Sequence, residues 1–209
     1  MSRVVLVRHA DAVTPRVGGP SEYERPLSAL GHQQASALVP DLVALGPDRV
    51  VSSPYLRAIQ SVSPAAEALG VAVELDPDLR EWDSGIAPTP DWEEQYRQSW
   101  RVEDECREGG ESHRTLQIRA SSALRRYLGG DDTVVVIASH GTWISRALRG
   151  LGLDIDADFW LAMPMPAVYL IDATGSEVGD LPQTTPHGGL GKLTHLPEGQ
   201  ASAGISSHH

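Results

Sequence analysis

Arg8 and His9 stand directly after the apolar run Val4 to Val7, and His140 stands directly after a second run, Thr133 to Ala138 and Ser139. Continuous β-branched and leucine runs of this length read as buried parallel strands. The carboxyl ends of such strands are where α/β proteins assemble their sites. Arg57 follows Ser53-Pro54, an N-cap and first-turn proline that predict a helix with Arg57 in its first turn. Together, two imidazoles and two guanidiniums make a compact cationic pocket suited to a phosphate dianion. An arginine fork meets two phosphate oxygens, and the free N–H groups of a helix start add further donors. A cation at the positive end of a helix is poorly placed unless an anion joins it, so the position of Arg57 itself argues for an anionic ligand.

The rest of the chain supplies elements to hold these groups. Ser28 caps a predicted helix running to Leu45, with Leu38, Leu42 and Leu45 on one face and Gly46 as its stop. Arg49 to Ser52 reads as a second strand, and Val71 to Leu75 as a third, after a helix that Pro64 should interrupt or bend. Residues 76 to 113, with prolines at 77, 88 and 90 and a Trp- and Glu-rich stretch, read as an excursion covering one edge of the site. Leu116 to Leu128 and Thr142 to Leu151 read as helices, and Ala167 to Ile171 as a late strand. The alternation predicts an α/β fold, a three-layer α/β/α sandwich with a mostly parallel central sheet. Right-handed crossovers place the Arg8-His9 and His140 strand ends together. The catalytic domain is expected over residues 1–175, followed at 176–209 by a Gly- and Pro-rich tail of loose order.

Composition narrows the partners. A chain of 209 residues suits one α/β domain, and 41% hydrophobic with 22% charged residues is ordinary for a globular protein. A formal charge of −11 argues against nucleic acid or anionic membrane as a partner, so an anionic substrate needs a local basic pocket. The single cysteine, Cys106, fits a reducing compartment, and the opening residues lack a secretory core or membrane span, so a cytoplasmic location is expected. No metal-ligand spacing is visible, and no cofactor is expected. A homo-oligomer is compatible with the sequence.

Five segments in order resemble the histidine phosphatase superfamily, the phosphoglycerate mutase-like branch one. They are VVLVRHA, SSPYLRAIQSV, LREWDSG, GGESHRTLQIR and VIASHG, spanning Val4 to about Leu151. The resemblance implies His9 as the nucleophile, Arg8 and Arg57 on the phosphoryl oxygens, His140 as a second phosphate partner, and Glu81, in LREWDSG, as the proton donor. Such a mechanism combines in-line attack by a neutral imidazole with dispersal of charge over the equatorial oxygens and general acid–base help at the leaving oxygen. Thr142, Arg16, Tyr96 and Arg114 are further candidates for holding substrate. Tyr23 and Arg25 could grip its non-phosphate part. Of Trp82, Trp92, Trp100, Trp143 and Trp160, most are expected in packing, with one or two at a substrate mouth.

The expected activity is hydrolysis of a small phosphorylated metabolite through phosphohistidine. The sequence RHADAV with RPLSALGHQQA is similar to the short protein-phosphohistidine phosphatases, although the 76–113 excursion favours a more enclosed pocket. A phosphoglycerate mutase-type phosphotransferase is the other enzymatic alternative. A noncatalytic phospho-ligand binder stands outside them; keeping both nucleophile and proton donor argues against it.

Overall fold

The computed structural model describes residues 2–130, 133–172 and 178–180. Six strands form one sheet: β1 (Arg3–Arg8), β2 (Arg49–Ser52), β3 (Val73–Leu75), β4 (Val134–Ser139), β5 (Ala167–Asp172) and β6 (Val178–Asp180). Their spatial order is β3-β2-β4-β1-β5-β6, parallel except where β5 runs antiparallel to both its neighbours. The three-layer arrangement follows from the two-residue period of the strands. Val5, Val7, Val50, Val136 and Ala138 point to one face and pack with Leu38, Leu42, Ala58 and Val62. Val4, Leu6, Val51, Val135 and Ile137 point to the other and pack with Leu116, Leu124, Trp143, Ile144 and Leu148. Strands buried on both faces need continuous apolar runs, as β1 and β4 have.

The first face is covered by α1 (Ala29–Ala37), α2 (Val39–Ala44) and α3 (Leu56–Leu69). The single helix expected from Ser28 to Leu45 is two helices, broken at Leu38. Pro40, at the start of α2, has no N–H to continue the ladder. Ser28 does cap α1, accepting the Gly31 N–H at 3.0 Å. Gly31 is required there: a Cβ would lie 1.9 Å from the Asp11 carbonyl oxygen, so α1 seats directly on the loop after β1. The third helix begins at Leu56, not at Ser53-Pro54, because the Ser53 hydroxyl bonds His140 and closes a turn to the Tyr55 N–H. It passes through Pro64 without a break and stops at Gly70, whose φ of +71° suits only glycine well.

The other face carries α4 (Trp92–Arg101), α5 (His113–Leu128), α6 (Gly141–Gly150) and α7 (Ala157–Ala162). The 76–113 excursion contains a 3₁₀ turn at Pro77–Leu79 and the amphipathic α4. β6 pairs with β5 and extends the sheet beyond residue 175, the expected domain boundary. The expected tail from 181 onward lies outside the described residues. Among the described residues, no helix is long and apolar enough to cross a membrane.

Candidate active site

β1 and β4 are neighbours in register, Arg8 opposite Ser139, so His9 and His140 leave the sheet side by side. The His9 N–H donates to the Ser139 carbonyl at 3.0 Å, and the two imidazoles meet edge to face at 5.3 Å between centroids. His9 Nδ1 lies 2.7 Å from the Ala10 carbonyl oxygen, a contact that needs the proton on Nδ1 and leaves the lone pair on Nε2. Burial, then the positive charge of Arg57, holds the His9 pKa well below its ordinary value. The imidazole is therefore neutral and nucleophilic at physiological pH. His140 is fully buried and likewise depressed by burial and Arg57; its Nε2 is 2.8 Å from Ser53 Oγ.

Arg57, 2% exposed in the first turn of α3, turns back over the Tyr55 ring, with its Cζ 4.9 Å from the centroid. Its fork meets Glu22, donating to the backbone carbonyl at 2.7 Å and approaching the carboxylate at 3.1 Å. Arg25 grips the same carboxylate through two bonds of 3.0 and 2.9 Å. Arg8 donates to the Met163 and Pro164 carbonyls, so part of its guanidinium is spent on the loop before β5. It also lies against α6: a Cβ on Gly141 would come within 3.2 Å of Arg8 Cζ and 3.1 Å of Trp160 Nε1.

Glu81 sits under the N-terminus of α6. Its Oε1 accepts the Trp82 and Trp143 N–H groups at 2.8 and 3.0 Å, while Oε2 accepts Thr142 N–H at a long 3.3 Å. The carboxylate thus satisfies two N–H groups that the first turn of α6 cannot bond internally. Burial raises its pKa, the net result against the three N–H donors and Arg57, which favour the charged form. With two hydrogen bonds on Oε1 and one long one on Oε2, Oε2 is the oxygen more free to carry a proton.

Buried polar atoms without a partner collect here. Among the described residues there are six, and four of them are Arg8 Nε, Arg57 Nε, His140 Nδ1 and Thr142 Oγ1. Buried donors are costly to leave unpaired, and an oxyanion is a group that could satisfy several of these at once.

Arg8, His9, Arg57, Glu81, His140 and Thr142 are therefore brought together. Tyr96, on α4, belongs to the wall beside them: its ring stacks on Trp160 at 4.9 Å, and burial together with the charge of Glu81 raises its pKa to about 12. Arg114 is not brought in; it is exposed and its guanidinium is committed to Asp104. Arg16 is exposed on the loop before α1, and among the described residues no hydrogen bond or ion pair joins its side chain to those around His9. Arg25 belongs to the site through Glu22. Sequence reasoning missed Glu22, Tyr55, the Ser53–His140 bond and Ser61. For Ser53 and Tyr55 the signal was their place inside SSPYLRA; for Glu22, on a loop, there was none.

Comparison with known proteins places the chain in a family. The sequence model of the histidine phosphatase superfamily (branch 1) matches residues 4–178. The probable phosphoglycerate mutase GpmB of Proteus mirabilis is 32% identical over 84% of this chain and 87% of its own. A mycobacterial glucosyl-3-phosphoglycerate phosphatase superposes with a TM-score of 0.63 at 26% identity, over 80% of this chain and 88% of its own. A phosphoserine phosphatase of Entamoeba histolytica, 21% identical, shares the fold with a TM-score of 0.65 over 81% of this chain and 90% of its own. The chain belongs to the histidine phosphatase superfamily, branch 1.

Proposed function

We propose that this protein hydrolyses the phosphate monoester of a small metabolite, passing the phosphoryl group through His9. The observation that carries this reading is His9 itself: buried, held neutral, its Nδ1 proton engaged by the Ala10 carbonyl, and surrounded by unpartnered donors. In the first step the Nε2 lone pair attacks phosphorus and the bond to the ester oxygen breaks. Arg57, Arg8, His140 and the Thr142 hydroxyl share the charge on the phosphoryl oxygens, and Glu81 gives its proton to the departing alkoxide. In the second step water attacks phosphorus, its proton passes to the Glu81 carboxylate, and the N–P bonding electrons return to Nε2.

The test is turnover of an aryl phosphate in EDTA by wild type and His9→Ala, with acid-labile phosphate on the chain measured at short times. Loss of both signals in His9→Ala is the expected result; unchanged turnover in that variant would sink the mechanism. A second reading, phosphoryl return to another hydroxyl as in a mutase, draws support from the relatives named probable phosphoglycerate mutase. Interconversion of 2- and 3-phosphoglycerate faster than phosphate release would favour it.

A further inference from the structure

The wall that rises from Glu81 is aromatic. Trp82, the residue after the proton donor, meets Tyr96 edge-on at 5.2 Å, Tyr96 stacks on Trp160 at 4.9 Å and 14°, and Trp92 caps both at 5.8 and 6.1 Å. Trp160 lies beside Arg8 at the start of α6, where a Cβ on Gly141 would come within 3.1 Å of its Nε1, so the wall starts at the phosphoryl pocket. Trp82 and Trp160 are themselves buried, which leaves Tyr96 and Trp92 as its open part. It ends in solvent at Trp92, 43% exposed. On the other side, Tyr55 lies edge-on to His140 at 4.9 Å and carries Tyr23, 51% exposed, at 4.3 Å.

The charges near this wall do not suit an acidic leaving group. Arg97 is paired with Asp158 at 2.7 Å, and Arg107 reaches the Ser84 carbonyl and Gln95 at 3.4 and 3.3 Å. Arg25 and Arg57 share Glu22. Asp83, Asp91, Glu93 and Glu94 are exposed on the segment that carries Trp82 and Trp92. A substrate carboxylate therefore meets committed guanidiniums and like charge, whereas the flat face of a ring meets aromatic carbon.

We infer, resting on the phosphatase reading, that the preferred substrate is the phosphate ester of an uncharged, ring-bearing alcohol whose ring lies against the Tyr96–Trp160–Trp92 wall. A sugar ring and an aromatic ring both present such a face.

The experiment compares four esters of primary alcohols on the full chain: glucose 6-phosphate, 2-phenylethyl phosphate, glycerol 3-phosphate and 3-phosphoglycerate. Their leaving groups are alike, so kcat/KM reads recognition. At least one ring ester is expected to exceed glycerol 3-phosphate by about tenfold, the order that a ring-on-ring contact supplies, with 3-phosphoglycerate the poorest. Which of the two leads tells a sugar from an aromatic substrate. In Trp92→Ser, at an exposed position, the ratio of ring ester to glycerol 3-phosphate should fall toward one. A 3-phosphoglycerate rate equal to or above the ring esters, or a ratio unmoved in Trp92→Ser, overturns the inference while His9-dependent hydrolysis still stands. Absence of His9-dependent hydrolysis on all four overturns it together with the phosphatase reading.

Discussion

The Ala10 N–H donates to Ser61 Oγ at 2.9 Å, and the same hydroxyl donates to the Arg57 carbonyl at 2.7 Å. One buried side chain thus ties the residue after His9 to the helix of Arg57, with Ala10 itself packed against Leu27 and Ala35. Ser61→Ala leaves the Ala10 N–H buried and unpaired, for a cost of about 1–3 kcal/mol. The expected outcome is a lower denaturation midpoint together with reduced kcat/KM, because the loop that sets the His9 tautomer loses its anchor. Chemical unfolding and steady-state kinetics check both; a variant that loses stability with full kcat/KM would separate the anchor from catalysis.

Under the proposed mechanism, Glu81 and His9 are expected to set the two limbs of the pH profile. Glu81 must be protonated to donate, and burial raises its pKa, so kcat/KM holds above the usual carboxylate range and falls as pH rises through that raised value. His9 must be neutral, and its depressed pKa moves the acid limb downward. In Glu81→Gln the alkaline limb should vanish, and alkyl phosphates should lose about a hundredfold or more. Esters with good leaving groups should suffer less, which rate measurements against leaving-group pKa will show.

His113 makes an acid-sensitive element behind the wall. Its Nδ1 accepts from Arg146 Nε at 2.7 Å, its Nε2 meets Ser99 Oγ at 2.9 Å, and Ser99 bonds the Tyr96 carbonyl at 2.6 Å. Burial and the charge of Arg146 lower its pKa to about 3. A base whose folded pKa lies below the unfolded value of about 6.5 is protonated first in the unfolded chain. Its contribution is complete above that value and is lost as pH falls toward the folded pKa, by roughly 1.4 kcal/mol per pH unit. His113→Gln should flatten the acid limb of stability by about one proton's slope, measured by denaturant unfolding between pH 4 and 8.

Gly141, the first residue of α6, lets Arg8 and Trp160 approach the helix start. In Gly141→Ala the added methyl is a few tenths of an ångström too close to both. Alanine suits a helix better than glycine, so the melting temperature should change little while kcat/KM falls by about tenfold, as a small misplacement of a reacting group costs. An unaltered kcat/KM would show that Arg8 can yield without consequence.

Much of this architecture was legible in the chain. The runs Val4 to Val7 and Val134 to Ala138 are apolar at every position because strands buried on both faces leave no polar side, so their place at the centre of the sheet could be read directly. Helix boundaries were less legible where a side chain had a distant partner. Ser53 has the form of an N-cap, yet it serves His140, 87 residues away, and the helix begins later. Arg114 has the form of a substrate cation, yet Asp104 takes it. β6, at Val178–Asp180, carried no pattern strong enough to be read as a strand.

The sequence by itself determined the order of β1 to β5 and of most of the helices between them, the strand-end positions of His9 and His140, and the helix-start position of Arg57, because burial period and punctuation are local properties. Tertiary structure alone decided the lowered pKa of His9 and the raised pKa of Glu81. It also decided the capture of Arg57 by Glu22 and the stacking of Tyr96 on Trp160. Those depend on desolvation and on contacts between segments far apart in the chain, and no local pattern encodes which buried charge finds which partner.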